Sequence, residues 1–313
     1  MASTLHVALY HPAVLPVRGY GGTERVVVWL ARGLAALGHR VTVLALPGSN
    51  LAEATTIPIE PREAFRPGGA RLEAHLPPGL DIVHAHVPLA EPPVGVPFWW
   101  TFHGTGAPGR IFPSSTIGLS AHHAARHGLA RWVHNGLDPA EYRFSTGTRQ
   151  HDLFLGRLHS VKGWRLAVAG ARRTGRRLVV AGGWRPSLRR GLRFVGKVDG
   201  PRKAALLAEA GCLWMPAQWD EPFGLTTIEA MASGVPVLGT RRGALPEVIT
   251  PASGAMGDTL DELVALRPGL DALDPEGVRA NVLERFTHLH MARAYEAIYR
   301  NETREARSEK REA

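Results

Sequence analysis

The sequence predicts an α/β protein built from two doubly wound parallel-sheet domains, and three observations carry that prediction. The chain opens as a strand, a glycine loop, a helix and a second strand, the unit from which open parallel sheets are wound. A second strand-to-glycine-turn opening begins at Asp152, and further short apolar runs of buried-strand length recur to residue 238. The chain has 313 residues, 44% hydrophobic and 21% charged, enough for two ordinary cores and unlike a disordered polymer.

The first strand is read at Leu5–Tyr10, and the loop Arg18-Gly19-Tyr20-Gly21-Gly22-Thr23-Glu24-Arg25 follows it. A helical pattern through Val26, Leu30, Leu34 and Leu37 stops at Gly38, and the strand Arg40–Leu46 completes a βαβ unit. Glycine lets the backbone approach a ligand, so Gly21 and Gly22 are candidate contacts. Asp81–His86 is read as a strand whose His84 and His86 share a face and could hold a metal, though no third ligand is apparent. The strand Pro97–Gly104 carries His103 at its carboxyl end, where open sheets form sites. Gly104–Gly109 matches G-x-G-x-x-G, but Pro113 and Ser114 stand where a helix should open, so no dinucleotide site is read there. A strand at Thr116–Ser120, a helix at Ala121–His127 and the Asn135-Gly136 turn end this half, and the polar stretch Arg143–Gln150 reads as a linker.

In the second half, Asp152–Arg157 is a strand and its loop holds Lys162-Gly163 before a helix through Leu166, Val168 and Ala171. A guanidinium and an ammonium around such a turn can clamp a diphosphate. A strand and glycine turn at Arg177–Gly183 and a segment at Leu192–Val198 come next. Cys212–Pro216 then leads through Glu221 into a short helix, which Thr226 or Thr227 would cap and which carries Glu229. The helix N-terminus suits a diphosphate, and a carboxylate that accepts two hydroxyl protons suits a ribose diol. A nucleotide-sugar offers both groups.

The stretch Glu221-Pro222-Phe223-Gly224-Leu225 through Glu229-Ala230-Met231-Ala232, followed by Gly234-Val235-Pro236-Val237, resembles the Glu-x7-Glu signature of the retaining glycosyltransferases of family 4. The resemblance implies the GT-B fold, two Rossmann-like domains facing a central cleft. Residues 1–146 would form an acceptor-binding domain, 147–285 a nucleotide-sugar donor-binding domain, and 286–313 a helix crossing back, with Ala292 to Tyr299 making the crossing. It also implies transfer of a sugar from an NDP-sugar to an acceptor hydroxyl with retention. His103, Glu221, Arg157 and Lys162 would be the catalytic set. Gly21, Gly22, Gly196, Lys197, Val198, Phe223, Gly224, Leu225, Thr226 and Glu229 would bind the donor, and His86 would lie on the acceptor side.

No metal and no cofactor beyond the NDP-sugar co-substrate is expected, because Arg157, Lys162 and the helix N-terminus can meet the charge of the departing diphosphate. The chain has no Asp-x-Asp. Competing readings are an epimerase or phosphorylase of the same fold, or a non-catalytic nucleotide-sugar-binding partner module. A phosphorylase would require a much longer chain with a lysine-bound pyridoxal phosphate, and an epimerase would lack the Phe-Gly-Leu loop. The donor base stays open among UDP, GDP, ADP and dTDP.

The net charge of +9 is concentrated between Arg172 and Arg193. With no RRM, zinc-finger or helix-turn-helix pattern, nucleic acid is not an expected partner, while peripheral contact with a membrane is compatible with the basic surface. No apolar run reaches the roughly 18 residues needed to span a bilayer. The direct entry into a strand argues against secretion, so a cytoplasmic location is expected. The single cysteine, Cys212, reads as buried packing.

Overall fold

Alternating apolar runs and amphipathic helices produce two sheets, each with parallel strands throughout. The computed structural model describes residues 3–19, 21–107, 109–147 and 149–312, with side chains described through Glu302. The chain divides into one unit of residues 1–136 and 288–313 and a second of residues 137–287.

The first unit holds β1 (His6–Tyr10), α1 (Gly22–Ala36), β2 (Arg40–Ala45), β3 (Thr55–Pro58), α2 (Pro61–Ala64), β4 (Ile82–Ala85), β5 (Phe98–Thr101), β6 (Thr116–Gly118), α3 (Ala121–His127) and β7 (Arg131–Trp132). Its strands lie in the order β3-β2-β1-β4-β5-β6-β7. The order reverses between β1 and β4, where Ala8 aligns with Val83 and Tyr10 with Ala85. β1 and β4 are buried along their whole length, as strands covered on both faces must be.

The second unit holds β8 (His151–Leu155), α4 (Trp164–Arg173), β9 (Leu178–Ala181), β10 (Leu192–Phe194), α5 (Gly200–Ala208), β11 (Ala210–Met215), α6 (Leu225–Ala232), β12 (Val237–Gly239), α7 (Leu245–Val248), β13 (Gly254–Met256), α8 (Leu260–Leu266) and α9 (Pro275–Arg285). The order is β10-β9-β8-β11-β12-β13, so the reversal falls between β8 and β11. Phe154, Trp164, Val180, Cys212, Trp214 and Leu238 are among the buried residues of its core, which is where Cys212 was expected. Behind that core, Arg267 donates from Nε and Nη2 to the two oxygens of Asp152 at 2.8 and 2.6 Å, and Trp214 Nε1 donates to the same carboxylate at 2.8 Å. Both ions of this pair are fully buried, and the three donors satisfy the carboxylate that burial would otherwise penalise.

The last helix, α10 (His288–Glu312), belongs to the first unit. It crosses α1 closely: a Cβ at Gly33 would come within 2.5 Å of the His288 carbonyl oxygen and 2.8 Å of Ala292 Cβ. Tyr295 and Tyr299 on α10 reach the first sheet, bonding to Thr101 at 2.8 Å and His84 at 2.6 Å.

The division falls at 136/137, ten residues before the expected boundary at 146, and the return at 287/288, two residues after the expected 285/286. Residues 137–146 are held by the second unit: Tyr142 bonds to Glu229, and the Phe144 ring lies against Gly234 and under the Arg279 guanidinium. Nor does Arg143–Gln150 behave as a free linker. Arg149 donates to the carbonyls of Ala208, Ala210, Ser145 and Gly234, tying the stretch down through backbone acceptors that composition does not reveal.

Candidate functional site

In the second unit the loops at the carboxyl ends of β8 and β11 flank the point where strand order reverses, the position at which open sheets bind ligands. After β8 the chain makes a short turn, Ser160–Lys162, and then Gly163 with φ +73°. A Cβ at Gly163 would fall 1.8 Å from the Pro216 carbonyl oxygen, so only glycine lets the two loops approach this closely. The approach brings Lys162 Nζ to 2.7 Å from Glu221 Oε2. Trp219 Nε1 donates to the same oxygen at 2.9 Å, and the Lys162 ammonium lies 4.5 Å from the Trp219 ring centroid. Glu221 Oε1 has no partner among the described residues and is free to accept from a ligand. Arg157, also in the β8 loop, is exposed and has no acidic partner among the described residues.

Helix α6 begins at Leu225, with Gly224 as its N-cap at φ +88° and no side-chain cap. Thr226 and Thr227 therefore do not cap it. They lie inside the first turn, because the left-handed conformation that ends the preceding loop falls on the glycine. The uncapped first turn keeps unpaired N–H groups and the positive end of the helix dipole beside Glu221. Leu225 is half-buried there. The Phe223 side chain is 2% exposed and packs edge-on against Phe286, 5.8 Å between centroids, so of this residue only the backbone can meet a ligand.

Glu229, one turn further on, is buried. Its Oε1 accepts from Tyr142 Oη at 2.7 Å and from Lys203 Nζ at 2.6 Å. Two donors on one oxygen, a lysine and an aromatic polar hydrogen, repeat the arrangement at Glu221. Tyr142, Lys203 and Trp219 were not anticipated. A lysine inside the apolar helix Gly200–Ala208 is a signal that could have marked Lys203 for a buried partner.

Gly196, Lys197 and Val198 follow β10 beside the end of β9, where Gly182 N donates to Gly196 O at 2.7 Å. Val198 is buried, whereas Lys197 is exposed and has no acidic partner among the described residues.

The first unit has its own furnished edge. Gly21 is the N-cap of α1 and Gly22 its first residue; a Cβ at Gly21 would come within 2.7 Å of the Glu24 carboxylate, so an acid already sits at this helix start. At the ends of β4 and β5, His86 Nδ1 and His103 Nε2 are 2.9 Å apart. Burial, reinforced by the neighbouring imidazoles, holds His86 well below the ordinary histidine range and His103 at about 3, so both are neutral and share a single proton in this bond. His86 Nε2 is buried with no partner. Were His103 the donor, His86 would carry an orphaned buried N–H; a bare ring nitrogen costs less. His86 therefore donates, and the His103 proton resides on Nδ1, the nitrogen left for a ligand. His86 is 3% exposed and lies against His103. His84 cannot ligate a metal with it, since Thr101 and Tyr299 occupy both its nitrogens. No group of three or more His, Cys, Asp or Glu among the described residues could hold a metal ion, and no helix among them is long and apolar enough to cross a membrane.

Two family models match the chain, "Glycosyltransferase Family 4" over residues 20–146 and "Glycosyl transferases group 1" over residues 149–265. A phosphatidyl-myo-inositol mannosyltransferase from Propionibacterium freudenreichii subsp. shermanii is 28% identical over 76% of this chain and 78% of its own length. The crystal structure of AviGT4, a glycosyltransferase involved in avilamycin A biosynthesis, is similar with a TM-score of 0.80 and 31% identity, covering 96% of this chain and 98% of that one. At the level of the fold alone, Anabaena HepE in complex with UDP-glucose is similar with a TM-score of 0.67 and 15% identity, over 94% of this chain and 99% of HepE.

Proposed function

The chain belongs to glycosyltransferase family 4, and we propose on that premise that it moves a sugar from a nucleoside-diphosphate sugar to an acceptor hydroxyl with retention of configuration and without a divalent metal. The observation that carries the reading is the Lys162–Glu221 pair across the β8/β11 reversal, beside the uncapped start of α6. Departure of the diphosphate places negative charge on a phosphate oxygen. Lys162, the exposed Arg157 and the first N–H groups of α6 supply fixed positive potential there. Glu221 Oε1 accepts from a donor-sugar hydroxyl while Oε2 stays with Lys162 and Trp219, so the carboxylate orients the ring without leaving its own partners.

Glu229 serves the ribose diol through the oxygen that Tyr142 and Lys203 do not occupy. Gly196, Lys197 and Val198 meet the base through the backbone, and Phe223, Gly224, Leu225 and Thr226 meet the phosphates in the same way. In the first unit Gly21 and Gly22 allow backbone approach to the donor, and His103 donates from Nδ1 to a sugar hydroxyl with His86 holding its tautomer. The bond from the anomeric carbon to the phosphate oxygen breaks and the bond to the acceptor oxygen forms on the same face. The acceptor's proton passes to the departing phosphate oxygen. HepE, whose structure holds UDP-glucose, supports a nucleotide-sugar as the donor class.

Calorimetric titration with UDP, GDP, ADP and dTDP in the absence of metal tests this reading. One nucleotide is expected to bind in preference to the others and to bind more weakly to Glu229→Gln. Absence of binding by all four, with or without Mg2+, would overturn it.

A further inference from the structure

Residues 153–198 contain twelve lysines and arginines and no aspartate or glutamate, while the rest of the chain holds 25 basic and 28 acidic residues. The whole positive excess therefore belongs to one segment of the second unit. Part of it is neutralised from outside, Arg173 by Asp261 and Arg176 by Asp271. Arg172, Arg177, Arg189, Arg190 and Arg193 are exposed and have no acidic partner among the described residues. They line two adjoining cavities of about 190 and 270 Å³, floored by Val168, Leu178 and Leu192. These cavities lie at the amino ends of β9 and β10, the opposite edge of the sheet from Lys162 and Glu221.

The loop joining β9 to β10 adds a second, independent feature. Trp184 is 69% exposed and Leu188 fully exposed, and Arg185, Arg189 and Arg190 flank them. A solvated basic face needs no large apolar side chains in water. A bilayer surface uses both: tryptophan settles among headgroups, an aliphatic tip enters the acyl boundary, and guanidinium groups meet phosphates. A nucleic acid would satisfy the arginines but would offer Leu188 no apolar phase.

We propose that the arginine cavities and the 182–191 loop dock the second unit onto an anionic phospholipid surface. The proposal does not depend on the transferase reading, because Trp184, Leu188, Arg189 and Arg190 are not among the residues assigned to the donor.

Co-sedimentation of the full chain with vesicles of phosphatidylcholine, or of phosphatidylcholine with phosphatidylglycerol, tests it. The protein is expected on the anionic vesicles only, and progressively less as salt rises. Each charge near the surface contributes roughly fivefold in partition, so Arg189→Glu with Arg190→Glu should reduce it on the order of a hundredfold or more. Trp184→Ala with Leu188→Ser should reduce it on the order of tenfold at unchanged salt dependence. Nucleotide titration of both variants, expected unchanged, shows that they are folded and that the donor site is untouched. Failure of the wild-type chain to sediment with anionic vesicles, equal sedimentation of the variants, or binding of a single-stranded RNA oligonucleotide in place of vesicles would each overturn the proposal.

Discussion

The carboxyl edge of the first sheet is furnished with imidazoles and that of the second with ion pairs. In the first unit His84, His86 and His103 are held neutral by burial; His86 bonds to His103, and His84 to Thr101 and to Tyr299 of α10. In the second, each of two carboxylates keeps a lysine and an aromatic donor on one oxygen and leaves the other open. A neutral imidazole can sort hydroxyls but cannot stabilise a leaving diphosphate. A charged edge can do the latter, provided its own carboxylates are held in place. The two sheets thus share nearly the same strand order but carry different chemistry at their carboxyl edges.

The comparison breaks most readily at Lys203. Lys203→Met leaves Glu229 buried beside Tyr142 alone, and removing one partner of a buried pair should cost about 3–5 kcal/mol of stability, read by thermal or denaturant unfolding. A loss below about 1 kcal/mol would mean that the pair is not formed in solution. Glu221→Gln keeps the size of the side chain and removes its charge. It should lower kcat on the order of 10²–10³ with nucleotide affinity nearly unchanged, since the nucleotide leaves the sugar contact unused. Equal losses in nucleotide binding and turnover would move Glu221 from the sugar to the phosphates.

Acid should act on the first unit. Burial lowers His84 and His103 to about 3 and His123 to about 4, against 6.5 when unfolded. Between those values the unfolded chain binds more protons than the folded one. The stability these groups contribute is therefore present above about pH 6.5 and is lost as pH falls toward the folded values. For the fully buried His84 this amounts to about 2 kcal/mol at about pH 5. Hydrogen exchange at that pH should show β4 and β5 opening before β8 and β11, and the reverse order would contradict it.

A smaller effect separates His86→Asn, which retains a donor at the Nδ1 position, from His86→Leu, which does not. The leucine variant should lose about tenfold in kcat, the cost of roughly 1.4 kcal/mol in holding the His103 tautomer, and the asparagine variant should recover most of it. Nitrogen NMR of the wild type should find the His103 proton on Nδ1. Tyr142→Phe should have the smallest effect, about 1 kcal/mol of stability, because Lys203 still serves Glu229.

Much of this was legible in the chain. The opening βαβ, the strand before Arg157, the Glu-x7-Glu helix and the helix at Ala121–His127 announce themselves through apolar periodicity and glycine punctuation. Edge strands such as Thr55–Pro58 and Arg131–Trp132 did not, being short and partly or wholly exposed, with no apolar run to mark them. Glu221, Lys162 and His103 were named as separate candidates. Their settings were not, and neither were Lys203, Tyr142 and Trp219, whose side chains complete the two carboxylate sites.

The kinds of element, their sequence and the spacing of Glu221 and Glu229 follow from local pattern, because helix and strand periods are written in neighbouring residues. Which strands become neighbours is not written there. A fully buried parallel strand is apolar on both faces and would suit any place inside a sheet. Only the order β10-β9-β8-β11 brings Lys162 to Glu221 across 59 positions, and only the docking of α10 on the first sheet brings Tyr299 to His84 across 215.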